Sequence, residues 1–288
     1  MIWVLLTILS ATGIFVFFKL LDRYKLPNLN AIVINYFVAS LIGIAISPNR
    51  AVMLNIFNEA WAPVAILIGV LFILMFFVIG YSSIYSGMSI TTLASKMSVV
   101  IPILFSIIYY KEALPYIKVI GMILALGGLV MAVFKKQENG KFNKQFWVPL
   151  VLFAGMGIVD SLVKYAQAAY VSNDLSSMFT SLLFSISFLS GMIIMGFMPR
   201  YFKYFKNFRL LLLGAGLGIA NYGSIYFLIR ALNSEIFDSS VIFGINNIGI
   251  VSLSAFIGYV FFKERLSRLN WAGLIICLIS IGILYITK

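Results

Sequence analysis

Histidine is absent from this sequence, cysteine occurs once, and charged residues make up only 10% of its 288 positions. Each shortage excludes something. Without histidine the chain lacks the commonest metal ligand and the one side chain whose ordinary charge changes between pH 5 and 8. A lone Cys277 offers no intrachain disulfide framework and no cysteine metal site. Soluble domains carry about 25% charged residues, so a water-facing surface cannot be built here. The chain has no GxxxxGK[ST] loop to cradle phosphates, no GxSxG elbow and no HExxH pair. Gly214-Ala215-Gly216-Leu217-Gly218 superficially matches a dinucleotide loop, but it lies inside an apolar run with no strand before it. Asp160 is the one acid deep in such a run, so paired-carboxylate chemistry lacks its second member. The expectation is a protein that is not an enzyme and holds no cofactor or metal.

What is present is apolar. Hydrophobic residues reach 62% and the mean hydropathy is +1.06, so lipid is the solvent for most of the chain. The net charge of +12 would suggest nucleic acid in a soluble protein. Here the cations fall between apolar runs, where they set orientation and meet anionic headgroups. Lipid is the expected partner and nucleic acid is not.

A bilayer core needs roughly 20 apolar residues in helical form. On that measure five spans fall near 2–21, 30–47, 61–84, 89–110 and 115–134. Five more fall near 147–170, 175–198, 209–232, 237–262 and 267–287. The first run, starting at Ile2 without a basic flank, reads as a span rather than a cleavable signal. The polar stretch Lys135–Lys141 reads as a linker. It divides the chain into 1–134, the linker 135–146, and 147–288.

The two halves resemble each other. Ile2-Trp3-Val4-Leu5-Leu6 recurs as Phe146-Trp147-Val148-Pro149-Leu150, and Gly13-Ile14 as Gly157-Ile158 at the same offset. Tyr109-Tyr110-Lys111-Glu112-Ala113-Leu114 recurs as Phe261-Phe262-Lys263-Glu264-Arg265-Leu266, followed in each half by a glycine, Gly121 and Gly273. Extra residues around Asn233–Asp238 absorb the change in offset. A duplicated unit with five crossings starts its second copy from the opposite side of the membrane, so the repeat is inverted. The expected fold is an all-α integral membrane protein, ten transmembrane helices as two inverted five-helix repeats, with a site between the halves near the midplane. Lys and Arg crowd the loops of one face, from Lys19, Arg23 and Lys25 to Lys263, Arg265 and Arg268. The other face holds Arg50, Lys111, Lys118, Arg230 and Lys288. That bias puts the linker in the cytoplasm and both termini outside, in a bacterial-type inner membrane.

On the repeated aromatic–Lys–Glu–x–Leu hairpin and the glycine-bearing spans after it, the chain resembles the ten-helix EamA-type members of the drug/metabolite transporter superfamily. The second copy, Lys263-Glu264-Arg265-Leu266, fits the family's Gly-Glu-Arg-Leu-like hairpin, whereas the first has Ala113 where Arg is common. The hairpin is expected to be structural, with its Lys at one helix C-terminus and its Glu at the next N-terminus. The resemblance implies a monomeric basket in which spans 1, 3, 4, 6, 8 and 9 surround a cavity and spans 5 and 10 lie at the back. It implies transport of small molecules, among them amino acids, other metabolites and organic cations.

Ionisable groups inside spans are costly and face a bundle interior or cavity. Three stand out: Lys96 in the fourth span, and Asp160 with Lys164 in the sixth. Ser89, Thr92 and Lys96 share one helical stripe, and Lys96 suits a substrate carboxylate or phosphate. Pairing with Asp160, or snorkelling to the helix end, is the structural alternative. Asp160 and Lys164 lie on one face, a stripe that Gly157 and Gln167 extend. By the repeat offset Asp160 matches Val16 of the first span. The related four-helix multidrug transporters carry a coupling glutamate there, so the resemblance makes Asp160, with Lys164, a proton-coupling candidate. An internal ion pair is the other reading.

Asn221, Asn246, Asn247, Tyr81, Tyr85 and Tyr222 join Lys96 as substrate-binding candidates, with Asn35, Tyr36 and Tyr226 as further cavity groups. Buried amides also serve as interhelical links. Tyr109, Tyr201 and Tyr204 read as interfacial belt residues. Pro102 interrupts the fourth span, and glycines crowd the eighth and ninth at Gly214, Gly216, Gly218, Gly223, Gly244 and Gly249. These are possible helix breaks or sites of close packing. The function expected is a secondary transporter, an exporter of small metabolites such as amino acids or related carboxylates. A multidrug exporter of cations and a non-transporting subunit in lipid or glycan processing are the alternatives.

Overall fold

The computed structural model describes residues 2–46, 61–110, 115–133, 147–169, 176–232 and 239–286. The linker 135–146, the first hairpin copy at 111–114, the 233–238 insertion, Arg50 and Lys288 lie outside the described residues, as does the side chain of Gln167. Eleven α-helices make up nearly all of the described chain. They are α1 (Ile2–Arg23), α2 (Asn28–Ile46), α3 (Ala62–Tyr85), α4 (Met88–Met97), α5 (Val100–Tyr110) and α6 (Tyr116–Val133), then α7 (Trp147–Ala169), α8 (Ser176–Gly196), α9 (Phe208–Leu232), α10 (Ser239–Val260) and α11 (Arg268–Ile286). A 3₁₀ turn at Pro199–Lys206 joins α8 to α9.

Seven apolar helical stretches are long enough to cross a bilayer: α1, α2, α3, α4 with α5, α7, α8 and α9. The chain is a multi-pass membrane protein. Its outer surface says the same, with Leu9, Leu41, Ile66, Ile123, Ile193 and Ile279 all exposed.

Proline placement explains several helix starts. Pro27 and Pro115 immediately precede α2 and α6, while Pro63 and Pro149 fall in the first turns of α3 and α7. There the missing N–H costs nothing, because the first amides of a helix have no intrahelical acceptor. Pro102 has the opposite effect. It cannot donate to the Ser98 carbonyl, which instead receives a tight bond from Ile101 N (2.9 Å). The fourth expected span therefore breaks at Ser98–Val99 into α4 and α5.

Most extensive contacts join the first half of the chain to the second. α1 lies on α9 and α10, α2 on α8 and α9, α3 on α7 and α8, and α4 on α7 and α10. α6 lies on α11, the most extensive pairing of all. In lipid such pairs are held by close packing and hydrogen bonds worth roughly 0.6–2 kcal/mol each. At the α6–α11 seam Asn270 Nδ2 donates to Ala132 O (2.7 Å) and Ser280 Oγ to Gly121 O (2.8 Å). A Cβ on Gly273 would stand 2.6 Å from Gly128 O. Elsewhere Thr7 Oγ1 donates to Ser224 O (2.7 Å), Ser187 Oγ to Gly69 O (2.8 Å), and Ser40 and Ser185 share a 2.6 Å hydroxyl bond.

The contacts also define two ends of the bundle. One end gathers Lys19, Tyr85, Gly87 and Glu264, and Asn30 there donates to Tyr201 O (2.9 Å). The other gathers Ile46, Thr180, Tyr226 and Arg230.

Candidate functional site

The break between α4 and α5 sets the site. Lys96 lies in the last turn of α4, eight residues or about 12 Å from the helix start. The carbonyl end of a helix favours a cation, so the interrupted span offers Lys96 a local negative pole. Ser98, the first residue after α4, turns its hydroxyl to Ser95 O (2.6 Å) and approaches Asp160 Oδ2 (3.5 Å) on α7. Lys96 is half-buried and Asp160 accessible, although both sit deep within their spans. They lie on helices packed against each other, α4 and α7. Yet they do not form an ion pair: among the described residues the one pair within 4.0 Å is Lys19–Glu264. A cation and an anion on packed helices that are not joined to each other can each take a further partner.

Lys164, one turn beyond Asp160, is exposed and engages a partner of its own.

The expected asparagines divide. Asn221 on α9 is buried and donates through Nδ2 to Asn35 Oδ1 on α2 (3.1 Å), an interhelical link. Asn247 on α10 is buried and has a partner. Asn246 beside it is buried with its Oδ1 unpartnered, as are Asn35 Nδ2, the Tyr36 hydroxyl and Thr12 Oγ1. Buried polar atoms normally find a partner. The bundle interior thus retains donor and acceptor capacity along α1, α2 and α10.

The tyrosines fall in two places, and Lys96 does not line the clefts they border. Tyr81 and Tyr85 occupy the last turns of α3, are about half exposed, and pack together at 4.3 Å. Tyr81 lines a cleft of about 440 Å³ with Asn28, Phe77 and Trp147. Tyr85 borders the Lys19–Glu264 pair. Tyr222 is buried on α9, stacked on Tyr226 at 6.0 Å and edge-on to Phe184. Of the expected belt residues, Tyr109 is exposed, and Tyr201 and Tyr204 lie on the 3₁₀ turn beneath Arg200 and Lys203.

The second hairpin copy departs from expectation. Glu264 does not stand at the start of the helix that follows it. Lys263 adopts a left-handed conformation (φ 52°) and Glu264 N donates to Gly258 O (3.0 Å), turning the carboxylate toward α4. There it accepts from Met88 N (2.5 Å), Ser89 N (3.2 Å) and Ser89 Oγ (2.9 Å), and pairs with Lys19 Nζ at 3.0 Å. It caps the N-terminus of the helix that carries Lys96. Gly87, at φ 98°, lets the chain pass within reach, since a Cβ there would lie 3.1 Å from the carboxylate. The start of α11 is capped instead by Ser267 and Asn270, which exchange bonds in both directions.

Sequence reasoning missed Ser98, Lys19 and the partner of Glu264. The signal for Ser98 was available, since a proline strands the carbonyl four residues before it. The contacts of Glu264 with α4 and with Lys19 reach across 175 to 245 residues of chain.

No family profile matches this chain. An uncharacterized protein of Haemophilus influenzae is 30% identical over 228 residues, covering 78% of this chain and 75% of that protein. A solved crystal structure superposes with a TM-score of 0.56 at 14% identity, covering 96% of this chain and 95% of its own.

Proposed function

This chain belongs to the same family as the Haemophilus influenzae protein, and we propose that it is a ten-span secondary transporter of small organic anions. The substrates proposed are amino acids or related carboxylates, moved, as an export, by alternating access. The observation that carries this reading is the Lys96–Asp160 constellation: a half-buried cation and an accessible carboxylate, opposite in charge and unjoined, beside a broken helix. Transporter sites recur at such breaks. Lys96 takes the carboxylate or phosphate of the cargo. Asp160, held near Ser98, takes up or gives up a proton as cargo enters or leaves.

The reading of two inverted repeats draws support from the contact pattern. Exchanging the halves turns α1–α9 into α7–α3, α2–α9 into α8–α3, and α1–α10 into α7 against α4 and α5. The pairs α2–α8, α4–α10 and α6–α11 turn into themselves. It adds the shorter apolar helices α6, α10 and α11 to the seven long stretches, for ten spans. The resemblance to the EamA-type drug/metabolite transporters rests on the same arrangement, with α6 and α11 paired at one side. The basic end, with Arg23, Lys25, Arg200 and Lys203, faces the cytoplasm of a bacterial-type inner membrane on this reading, and both termini face outward.

A cation exporter is disfavoured by Lys96, which repels cationic cargo. The test is counterflow of labelled amino acids and small carboxylates in proteoliposomes. Uptake by wild type with loss in Lys96→Gln supports the proposal. Counterflow of organic cations alone, undiminished in Lys96→Gln, overturns it in favour of a multidrug exporter.

A further inference from the structure

At the end of the bundle opposite the Lys19–Glu264 pair, a cleft of about 250 Å³ opens between α2, α8 and α9, lined by Ile46, Thr180, Tyr222, Tyr226 and Arg230 among others. Its lining is divided between polar and apolar atoms, unlike the apolar cleft of about 590 Å³ between α5 and α7. Arg230, exposed in the last turn of α9, is bonded to a tyrosine one turn back on its own helix. Its Nε and Nη2 both donate to the Tyr226 hydroxyl (3.1 and 3.0 Å), and the guanidinium lies over that ring at 5.4 Å from its centre.

This arrangement has three properties of an anion site. A guanidinium carries five N–H donors; two go to Tyr226, and the other three remain for a ligand. No carboxylate among the described residues pairs with Arg230. The side chain is also ordered in advance by a neutral phenol, which leaves the full positive charge available, so a ligand pays little of the usual ordering cost. The stacked Tyr222 and Tyr226 rings and Ile225 and Ile229 give the cleft an apolar wall behind the charge.

We propose that this cleft is a second anion-binding site, for one carboxylate or phosphate group carried on a small apolar body. Arg230 supplies a forked contact of the kind that matches such groups, the Tyr226 hydroxyl remains able to donate a further bond, and the tyrosine rings cover the body of the ligand. The site lies at the bundle end and stands independently of the assignment of Lys96. A soluble organic anion and the phosphate of an anionic lipid share this chemistry.

The test is local. The full-length protein is placed in zwitterionic phosphatidylcholine nanodiscs and treated with phenylglyoxal, and modification of Arg230 and Arg209 is followed by peptide mass spectrometry. Benzoate and phenyl phosphate are the soluble probes, and discs with 30 mol% phosphatidylglycerol are the lipid arm. Slowing of Arg230 modification at least fivefold by a soluble probe, with Arg209 unchanged, supports a site for a soluble anion. The same slowing by phosphatidylglycerol alone supports the site with a lipid headgroup as its occupant. Tyr226→Phe, which removes the fixing hydroxyl and keeps the ring, weakens either protection at least threefold. An Arg230 rate that none of the three changes overturns the proposal, as does equal protection of Arg230 and Arg209. A failure of Lys96-dependent transport would leave every one of these readings intact.

Discussion

Replacing Glu264 by glutamine keeps the shape of the side chain and removes its charge, and the structure fixes what that costs. The carboxylate accepts from two backbone amides of α4, from Ser89 Oγ and from Lys19 Nζ. Its side chain is 9% exposed and that of Lys19 13%. Hydrogen bonds to a charged group contribute about 1.5–3 kcal/mol, and an anion at a helix N-terminus about 0.3–2 kcal/mol. These overlap, and the amide oxygen of glutamine keeps part of the first. The expected loss is about 2–3 kcal/mol, which for a chain of this size lowers the apparent Tm by about 4–12 °C. Lys19→Met alone leaves three of the four donors in place and costs about 1 kcal/mol. The assay is thermal unfolding of purified protein in one detergent at one scan rate, with the single variants and the double variant in parallel. Because the two residues act as one unit, the double variant falls below Glu264→Gln by less than the loss seen for Lys19→Met alone. Glu264→Gln within 1 °C of wild type, or strictly additive losses, would refute the assignment of Glu264 as the cap of α4.

Gly273→Ala puts a methyl group against backbone atoms of α6, which cannot yield as a side chain would; overpacking of this kind costs about 1–3 kcal/mol, read as a lower Tm and yield. Pro102→Ala supplies an N–H that can take the place of Ile101 N on the Ser98 carbonyl, so the break heals. The expected result is an unchanged or higher Tm with counterflow reduced at least tenfold, and full activity would show that the break has no part in transport. Asp160→Asn removes the exchangeable carboxylate while keeping its size, and is expected to abolish proton-driven uptake but leave counterflow measurable. Undiminished proton-driven uptake would remove Asp160 from coupling.

The sequence made the helices legible because a run of apolar residues in lipid has few other ways to satisfy its backbone. Nine helices, α1–α3 and α6–α11, start and end within two residues of the expected limits. The break at Ser98 was legible as an interruption at Pro102, but its effect, bringing Lys96 and Ser98 to face Asp160, required the packing of α4 on α7. Asn221 shows the limit of composition: an amide in a span is costly anywhere in lipid, and only its contact with Asn35 distinguishes a link from a ligand group. Tyr81 and Tyr85 were placed by helix number among cavity residues, whereas their position along α3 puts them at the bundle end. Glu264 followed a local rule about the next helix. A tertiary contact overrode it, because the start of α4 offers two amides and a lysine within reach.

Lys96 is the centre of this account, and ligand-induced thermal stabilisation tests it most directly. Wild type, Lys96→Gln and Lys96→Arg would be melted with amino acids, small carboxylates, phosphates and organic cations. A ligand that binds the folded state raises stability by RT ln(1 + [L]/Kd), so millimolar affinities register at high concentration. The account predicts that at least one anionic or zwitterionic metabolite raises the Tm of wild type by several degrees, that Lys96→Arg keeps part of the shift, and that Lys96→Gln loses it. Stabilisation by cations alone, equal in wild type and Lys96→Gln, would contradict it.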